Sequence, residues 1–313
     1  MNVISMNFQK DKSIRTAEMF VSDYCLKTIG KPIKLELISR LCEKNLVYKV
    51  VISNDSIYSV KLFLNKQNPS QRLKLEQEII NIQKEYCFHT FRTKDISHYQ
   101  IIDDHVFYAI TVRPWIMGVS FKDILKENFP KFNVLCLPTI KQIGNELWNS
   151  QVSSDVIPVL PSVFMRNSFN IDLLYTIYPV DLVKKLEFVH NSLIPESQVF
   201  RLINGDISLH EFLIEDSGDM YIIDWEELAL GDPIIDIAGA FYSIFEHLVK
   251  IITLEEILEY AKKYLAFFNI NCNRDFAYHF LERVVMADYL TQNQNTKLID
   301  SALLLINTLI KGK

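Results

Sequence analysis

Two carboxylates in the second half of the chain, Asp206 and Asp224, have the spacing of a catalytic pair. Between them lie an apolar run from Phe212 to Ile214, a polar turn, and a second apolar run from Met220 to Ile223. This pattern predicts a strand hairpin, and a hairpin of that length can bring both carboxylates to one end of a sheet. There one carboxylate could orient a hydroxyl group while the other holds a divalent metal ion.

The residues around this pair form a longer pattern. Asn204-Gly205-Asp206 is followed by Ile223-Asp224-Trp225, then by Gly231-Asp232-Pro233 and by Asp236. This stretch resembles the corresponding motifs of the aminoglycoside phosphotransferase and choline kinase family. The resemblance implies a protein-kinase-like fold, with ATP as the donor of a phosphoryl group and a small molecule with a hydroxyl group as the acceptor.

By this resemblance, Asp206 is the catalytic base that accepts the acceptor's hydroxyl proton, and Asp224 is the main Mg²⁺ ligand. Asp232 and Asp236 are expected to brace the catalytic loop or to cap the following helix. The family has an Asn five residues after the base, but this chain has Glu211 there. Because hard cations prefer oxygen ligands, we predict that Glu211 also binds the metal, with altered geometry or with Mn²⁺ in place of Mg²⁺.

Two neighbouring positions complete the comparison with the family. The first residue of the triplet is usually His and is Asn204 here, a mild change at a mainly structural position. His210, next to Glu211, either supplies a compensating positive charge or simply faces solvent.

The first third of the chain supports the same interpretation. Lys61 lies inside the apolar run Val60-Lys61-Leu62-Phe63, where a lysine is unexpected unless its ammonium group has a partner. The family keeps its phosphate-contacting Lys at such a strand end, paired with a Glu on the next helix. Glu76 fits this partner best and Glu78 is the alternative, because Ile79 and Ile80 follow at helical offsets.

Two further nucleotide-binding segments can be assigned by resemblance. The phosphate-covering loop would be Ser39 to Asn45, which has no glycine, so either Lys44 and Ser39 replace backbone contacts or nucleotide binding is altered. The hinge would be Thr111 to Gly118, with the Pro114 carbonyl and the Ile116 backbone contacting adenine. Trp115 is equally well explained as a core residue.

The predicted elements divide the chain into a β-rich first third and a helical remainder, an α+β arrangement. We place two lobes at residues 1–116 and 117–313, the first with a five-stranded antiparallel sheet. The predicted helices are 13–29, 71–86, 135–149, 182–191, 234–249, 254–268, 275–290 and 296–310; the predicted strands are 33–38, 46–52, 57–64, 101–102, 106–112, 212–214 and 220–223.

Composition narrows the class of protein. The chain has 313 residues, 49% of them hydrophobic, so we expect a globular protein. Its formal net charge of −5 argues against a nucleic-acid partner, because a nucleic-acid-binding protein should present a basic surface. Its five cysteines have no paired spacing, and neither a signal-peptide run nor a bilayer-spanning run is present. We therefore expect a cytoplasmic protein with no membrane partner. The sequence leaves the oligomeric state open.

Three functions remain compatible with these observations. The preferred one is an active small-molecule kinase acting on an aminoglycoside, a choline-like alcohol or a related hydroxylated compound. Glu211 and the glycine-free loop instead favour a pseudokinase-type nucleotide-binding or regulatory protein. A protein kinase is disfavoured because Gly205 and Ser208 stand where protein kinases carry Arg and Lys. The triplet Asp224-Trp225-Glu226 resembles that of choline- and thiamine-type relatives, and this resemblance suggests a cationic amino alcohol as acceptor. Glu226 and Glu227 could recognise its amine, or either could be a solvated carboxylate at a helix start.

Overall fold

The computed structural model of the chain describes residues 3–39, 45–66, 68–152, 157, 171–193, 200–271, 273–291 and 295–311. The backbone forms two compact units, Met1–Ile80 with Lys94–Met117 and Asn81–Thr93 with Gly118–Lys313. The second unit thus includes a segment that precedes position 116 in the sequence. The simpler lobe boundary between residues 116 and 117 stays a prediction.

The first unit contains the predicted five-stranded antiparallel sheet, with strand order β1-β2-β3-β5-β4. Four of its strands follow the predicted β-branched and aromatic runs to within about two residues, which confirms that part of the prediction. The fourth strand along the chain lies earlier than the predicted 101–102 and shares only Ile101 with it. The strands are β1 (Lys34–Ser39), β2 (Asn45–Ser53), β3 (Ser56–Leu64), β4 (His98–Ile101) and β5 (Phe107–Pro114).

One face of this sheet is covered by helix α1, Val3–Thr28, which starts earlier than predicted. Helix residues at offsets of three and four form a stripe that packs on alternate residues of β2 and β3. Fully or largely buried members of this cluster are Ala17, Val21, Tyr24 and Cys25 from the helix and Tyr48, Val50, Val60 and Leu62 from the strands.

The opposite face of the sheet packs near helix α2, Pro69–Tyr86. Phe63 and Ala109 form a small buried cluster there with Leu73 of that helix. Because side chains alternate along a strand, Lys61 projects from the same face as Phe63. The sequence pattern therefore directs the one lysine of this apolar run toward α2.

The second unit is mainly helical and carries two small sheets, ordered β10-β7 and β6-β8-β9. The predicted α+β kinase-like architecture is confirmed. The strands are β6 (Gly118–Ser120), β7 (Arg201–Ile203), β8 (Phe212–Glu215), β9 (Met220–Ile222) and β10 (Ala229–Gly231); the helices are α3 (Phe121–Glu127), α4 (Phe129–Lys131), α5 (Leu137–Trp148, preceded by a π-helical turn at Phe132–Cys136), α6 (Ile171–Leu174), α7 (Val180–Leu193), α8 (Pro233–Leu248), α9 (Leu254–Phe267), α10 (Asn273–Thr291) and α11 (Thr296–Lys311).

Helix α8 is the central element of the second unit. Its start is fixed by Asp232, whose Oδ1 accepts the Ile234 N–H at 2.9 Å, and by Pro233 in the first turn. Phe241 packs edge-on against Phe276 and Phe280 of α10, with ring centroids 5.3 and 5.2 Å apart. Helices α8 and α10 are therefore held together by a tight aromatic contact.

Within the described ranges, none of the helices is both long enough and apolar enough to cross a bilayer.

Candidate active site

In the first unit, Lys61 forms an ion pair with Glu76, as the sequence predicts in preference to Glu78. The carboxylate of Glu76 is only 2% exposed, and its second oxygen accepts a hydrogen bond from Arg113. Strand register explains the second cation: Lys61 lies opposite Thr111, so Arg113 is its diagonal neighbour on the same face. One buried carboxylate thus positions two cations.

The proposed hinge residues follow directly after Arg113. Pro114 is exposed at the end of β5, and Ile116 is buried. Between them the Trp115 N–H donates to the Ile57 carbonyl at 2.9 Å, and the Lys49 ammonium lies 4.8 Å from the indole centroid. Trp115 is only partly buried, so it is not a plain core residue.

The glycine-free phosphate loop lies almost entirely outside the described residues, which resume at Asn45. The predicted contact of Lys44 with nucleotide therefore stays a prediction.

In the second unit, the predicted catalytic loop follows β7 and begins at Asn204. The carboxylate of Asp236, which is 1% exposed, accepts the backbone N–H of Asn204 at 3.0 Å and that of Gly205 at 2.9 Å. Gly205 has φ of +85°, a backbone conformation that favours glycine. The predicted bracing role of Asp236 and the helix-capping role of Asp232 are both confirmed.

Helix α8 contacts the catalytic loop through one stripe, Asp236, Gly239 and Ser243, at offsets of three and seven residues. A Cβ atom on Gly239 would lie 2.7 Å from the carbonyl oxygen of Ile207, so only glycine allows this approach. The Ser243 Oγ accepts the Leu209 N–H at 3.4 Å. The stripe fixes the loop backbone on both sides of Asp206.

Asp224 follows β9 and has φ of +67°, in the left-handed region that is uncommon for residues other than glycine. Its carbonyl accepts a hydrogen bond from the side-chain amide of Asn204 at 3.2 Å, and the Asn204 Oδ1 accepts the Asp206 N–H at 3.1 Å. Asn204 therefore links the backbones of the two predicted functional aspartates. The residue that replaces the family's His has a structural role.

Glu211 precedes β8, and its carbonyl accepts the Ile223 N–H at 3.0 Å. This contact puts Glu211 and Asp224, which are predicted to share a metal ion, at the same end of the hairpin. The Glu211 side chain is 8% exposed, with Oε2 3.4 Å from the Ser208 N–H and Oε1 3.8 Å from the His210 Nε2. The carboxylate is thus turned toward the catalytic loop.

His210 does not supply a compensating positive charge at neutral pH. Burial and the nearby Lys122 ammonium lower the pKa of His210, and these effects outweigh the opposing influence of Asp224 and Glu246. The ring instead shares a hydrogen bond with the Ser208 hydroxyl at 2.6 Å. The side chain is nevertheless about half exposed, which agrees with a residue at the surface of the loop.

Glu226, two residues after Asp224, has its carboxylate close to that of Asp224. It is 9% exposed, so it is not the solvated helix-start carboxylate considered from the sequence. A carboxylate oxygen of Glu226 lies within 4.8 Å of one of Asp224, a separation at which both could bind one divalent cation.

Asp206 is not free of side-chain partners. Its Oδ1 accepts a hydrogen bond from the Arg283 guanidinium of α10, and the side chains are 43% and 23% exposed, respectively. Its role as the base stays a prediction, and in this structure the carboxylate is engaged by a cation. The cause is the packing of α10 on α8, which brings a residue distant in sequence to the loop.

Comparison with known proteins identifies the fold of the chain. No family model and no curated protein matches the sequence. Among solved structures, a thermostable mutant of aminoglycoside phosphotransferase APH(4)-Ia is similar with a TM-score of 0.65 at 10% identity, covering 93% of this chain and 98% of that one. Amicoumacin kinase hAmiN, in complex with AMP-PNP, Ca²⁺ and Ami, gives 0.68 at 13% identity, covering 95% and 96%.

Spectinomycin phosphotransferase APH(9)-Ia, in complex with ADP and spectinomycin, gives a TM-score of 0.61 at 13% identity and covers 93% of this chain and 98% of that one. The chain has the kinase-like fold of these phosphotransferases. The sequence-based resemblance is thereby confirmed at the level of the fold.

Three residues of this kinase-like fold were missed by sequence reasoning as partners of the predicted site. Arg113 lies in a run assigned to the hinge, and its alternation with Thr111 is the signal that could have put it beside Lys61. Ser243 follows Asp236 and Gly239 at helical spacing, so the stripe could have been found once Asp236 was assigned. Arg283 gave no signal, because its contact depends on how two helices pack.

Proposed function

We propose that the chain is an ATP-dependent small-molecule kinase that transfers the γ-phosphoryl group of ATP to an acceptor hydroxyl. The observation that carries this proposal is the catalytic loop: Asp236 holds its backbone through two N–H groups, and Asn204 links Asp206 to Asp224. Such rigid positioning is what phosphoryl transfer requires from a protein, because catalysis depends mainly on orientation and charge stabilisation.

Each predicted residue has a role in this reaction. Asp206 accepts the proton of the acceptor hydroxyl, whose oxygen forms a bond to the γ-phosphorus while the bond from that phosphorus to the bridging oxygen of ADP breaks. Lys61, positioned by Glu76, contacts the nucleotide phosphates, as does Lys44. Backbone groups of Pro114 and Ile116 bind adenine.

A divalent cation fits the carboxylates present. Asp224 and Glu211 would hold Mg²⁺ or Mn²⁺, with Glu226 as a further oxygen donor, since hard cations take carboxylate ligands. When bound, the cation neutralises charge on the phosphates. The carboxylates of Asp224 and Glu226 have oxygens within 4.8 Å of each other, and a shared cation would offset their mutual repulsion.

Asp206→Asn is the decisive test. Because Asp206 acts on the acceptor and not on ATP, the variant should bind nucleotide almost as the wild type does. Its turnover should fall roughly a hundred- to ten-thousand-fold, the usual effect of losing a positioned acid–base group. ATP consumption should be measured with aminoglycosides, choline, thiamine and sugars as acceptors, with nucleotide binding titrated in parallel.

Asp216→Asn is a matched control, because Asp216 is exposed in the hairpin turn and outside the proposed site. It should keep both binding and turnover. Wild-type protein that binds no nucleotide with any divalent metal would overturn the kinase proposal.

A second candidate function is a nucleotide-binding regulatory protein of the pseudokinase type. Two observations favour it: Glu211 replaces a neutral metal ligand of the family, and the Asp206 carboxylate is engaged by Arg283. Nucleotide binding without turnover on any acceptor would select this function over the kinase.

A further inference from the structure

Arg283 contacts the residue proposed as the catalytic base, from a rigid position. Its helix, α10, is fixed on α8 by the contacts of Phe241 with Phe276 and Phe280, and α8 in turn holds the catalytic loop. The guanidinium and the loop are therefore held in register by the core of the second unit. The contact with Asp206 follows from this packing.

The ion pair has a direct chemical consequence. A carboxylate oxygen that accepts a charge-assisted hydrogen bond from a guanidinium has one lone pair fewer for a hydroxyl proton. Both side chains are partly exposed to solvent, so the pair is one that a competing ligand can break. Arg283 thus restrains the base reversibly.

A cavity of about 440 Å³ lies among α8, α10 and α11. Its wall is connected to the loop through Lys122, whose ammonium lies 3.3 Å from Glu246 and whose backbone N–H donates to the Leu209 carbonyl at 3.1 Å. The polar side chains of its wall are Tyr242, Glu246, Lys250, Asp288, Lys297 and Ser301.

The two carboxylates of this wall already have cationic or donor partners. Glu246 lies 3.3 Å from the Lys122 ammonium and 3.4 Å from that of Lys250, and these two cations lower its pKa although burial acts to raise it. Asp288 accepts hydrogen bonds from the Tyr178 hydroxyl and, at 2.9 Å, from the Asn295 N–H. A cationic acceptor would have to compete for both carboxylates.

The cations of the same wall favour an anionic acceptor. Lys297 lines the cavity as a second cation beside Lys250, which already pairs with Glu246, and Arg283 lies on α10, the helix that supplies Asp288 to the same wall. Cations of this kind recognise carboxylate and phosphate groups, and the planar guanidinium does so with two parallel N–H donors.

Resting on the proposed kinase function, we infer that Arg283 is a positioning and specificity-determining residue whose guanidinium is taken over by an anionic group of the acceptor. In the absence of acceptor, Arg283 restrains Asp206 and so limits transfer of the γ-phosphoryl group to water. When a carboxylate or phosphate group of the acceptor pairs with Arg283, the Asp206 oxygen is released to accept the hydroxyl proton. This differs from the cationic amino alcohol suggested by the Asp-Trp-Glu triplet.

The first experiment measures phosphate release from ATP and Mg²⁺ without any acceptor. Arg283→Gln should raise the rate by on the order of tenfold, because it frees a positioned base toward water. Arg283→Lys, which keeps the charge, should stay near the wild-type rate. Arg274→Gln makes the same charge change at an exposed position of the same helix and should have no effect.

Combining Arg283→Gln with Asp206→Asn should abolish the gain, since the gain depends on the base. A merely structural role of Arg283 would lower the rate and not raise it. An unchanged or lower rate in Arg283→Gln protein that still binds nucleotide would overturn the inference and leave the proposed function standing.

The second experiment compares three acceptors of one size that differ in charge: glucuronic acid, glucose and glucosamine. Thermal stabilisation of the protein in the presence of AMP-PNP and Mg²⁺ reports their binding without requiring turnover. Glucuronic acid should stabilise most and glucosamine least, and Arg283→Gln should remove this preference.

Equal or stronger stabilisation by glucosamine, or no stabilisation by any of the three sugars, would overturn the assignment of an anionic acceptor. Wild-type protein that does not bind AMP-PNP would instead remove the proposed function and, with it, this inference. The two failures are therefore distinguishable.

Discussion

At the scale of single residues, the proposed metal site depends on which carboxylate is the partner of Asp224. Glu211 stands where the family has a metal-binding Asn, but its carboxylate is turned toward the Ser208 N–H. Glu226 has an oxygen within 4.8 Å of Asp224 and is similarly buried. Glu211 and Glu226 are thus both candidates for the second metal ligand beside Asp224, and only Glu211 was predicted from the sequence.

Substitution of Glu211 by Asn restores the family residue. If Glu211 is a working ligand, Glu211→Asn should change the ratio of Mg²⁺- to Mn²⁺-supported turnover while leaving appreciable activity, because ligand charge and geometry differ between the two side chains. ATP consumption at a series of concentrations of each metal provides the measurement.

Glu226→Gln is the comparison variant, because it removes the other carboxylate near Asp224 without changing the side chain's size. A change in metal dependence with Glu226→Gln alone would transfer the second ligand position to Glu226. Activity that appears only in Glu211→Asn protein would show that Glu211 disables the site. If Glu211→Asn alters neither metal binding nor turnover, Glu211 is not in the site.

At the scale of elements, helix α8 acts as the support of the catalytic loop. Gly239→Ala tests this supporting role, because helix propensity and the contact with the loop change the free energy of unfolding in opposite directions. Helix propensity alone would make alanine stabilising by about 1 kcal/mol. The new Cβ, 2.7 Å from the Ile207 carbonyl oxygen, should instead destabilise the protein by about 1–3 kcal/mol and displace the loop.

Urea unfolding and ATP turnover of Gly239→Ala measure the two consequences. Gly144→Ala in α5 is the comparison, since its Cβ would meet the Trp148 ring, a side chain of the same helix, and not the backbone of the loop. A stabilised Gly239→Ala protein with normal turnover would contradict the supporting role of α8.

The elements also show what sequence patterns can and cannot specify. The β-branched run around Lys61 predicts its strand, and the alternation of side chains predicts the face from which it projects. The ion pair with Glu76 could therefore be predicted from the sequence. Helix periodicity likewise predicts α8 and α10, but it does not say how they cross. The contact of Arg283 with Asp206 depends on that crossing and on rotamers in the packed core, which no local pattern encodes.

At the scale of the whole molecule, ligand binding should appear as a change in stability. Any ligand that binds only the folded state stabilises it by about 2.7 kcal/mol at a concentration one hundred times its Kd. For proteins of a few hundred residues, each kcal/mol corresponds to roughly 2–4 °C in Tm. Millimolar ATP with Mg²⁺ or Mn²⁺ should therefore raise the Tm of this chain by several degrees.

The same measurement separates nucleotide binding from metal binding. Asp224→Ala removes the main predicted ligand, so it should lose the part of the Tm increase that depends on the divalent ion and keep the smaller part produced by ATP with EDTA. The latter should depend on Lys61 in its buried pair with Glu76, and Lys61→Met should remove it. Equal stabilisation of wild-type and Asp224→Ala protein by ATP with Mg²⁺ would exclude Asp224 as a metal ligand. The contribution of Lys61 is tested separately by Lys61→Met, because its pairing with Glu76 lies within the first unit.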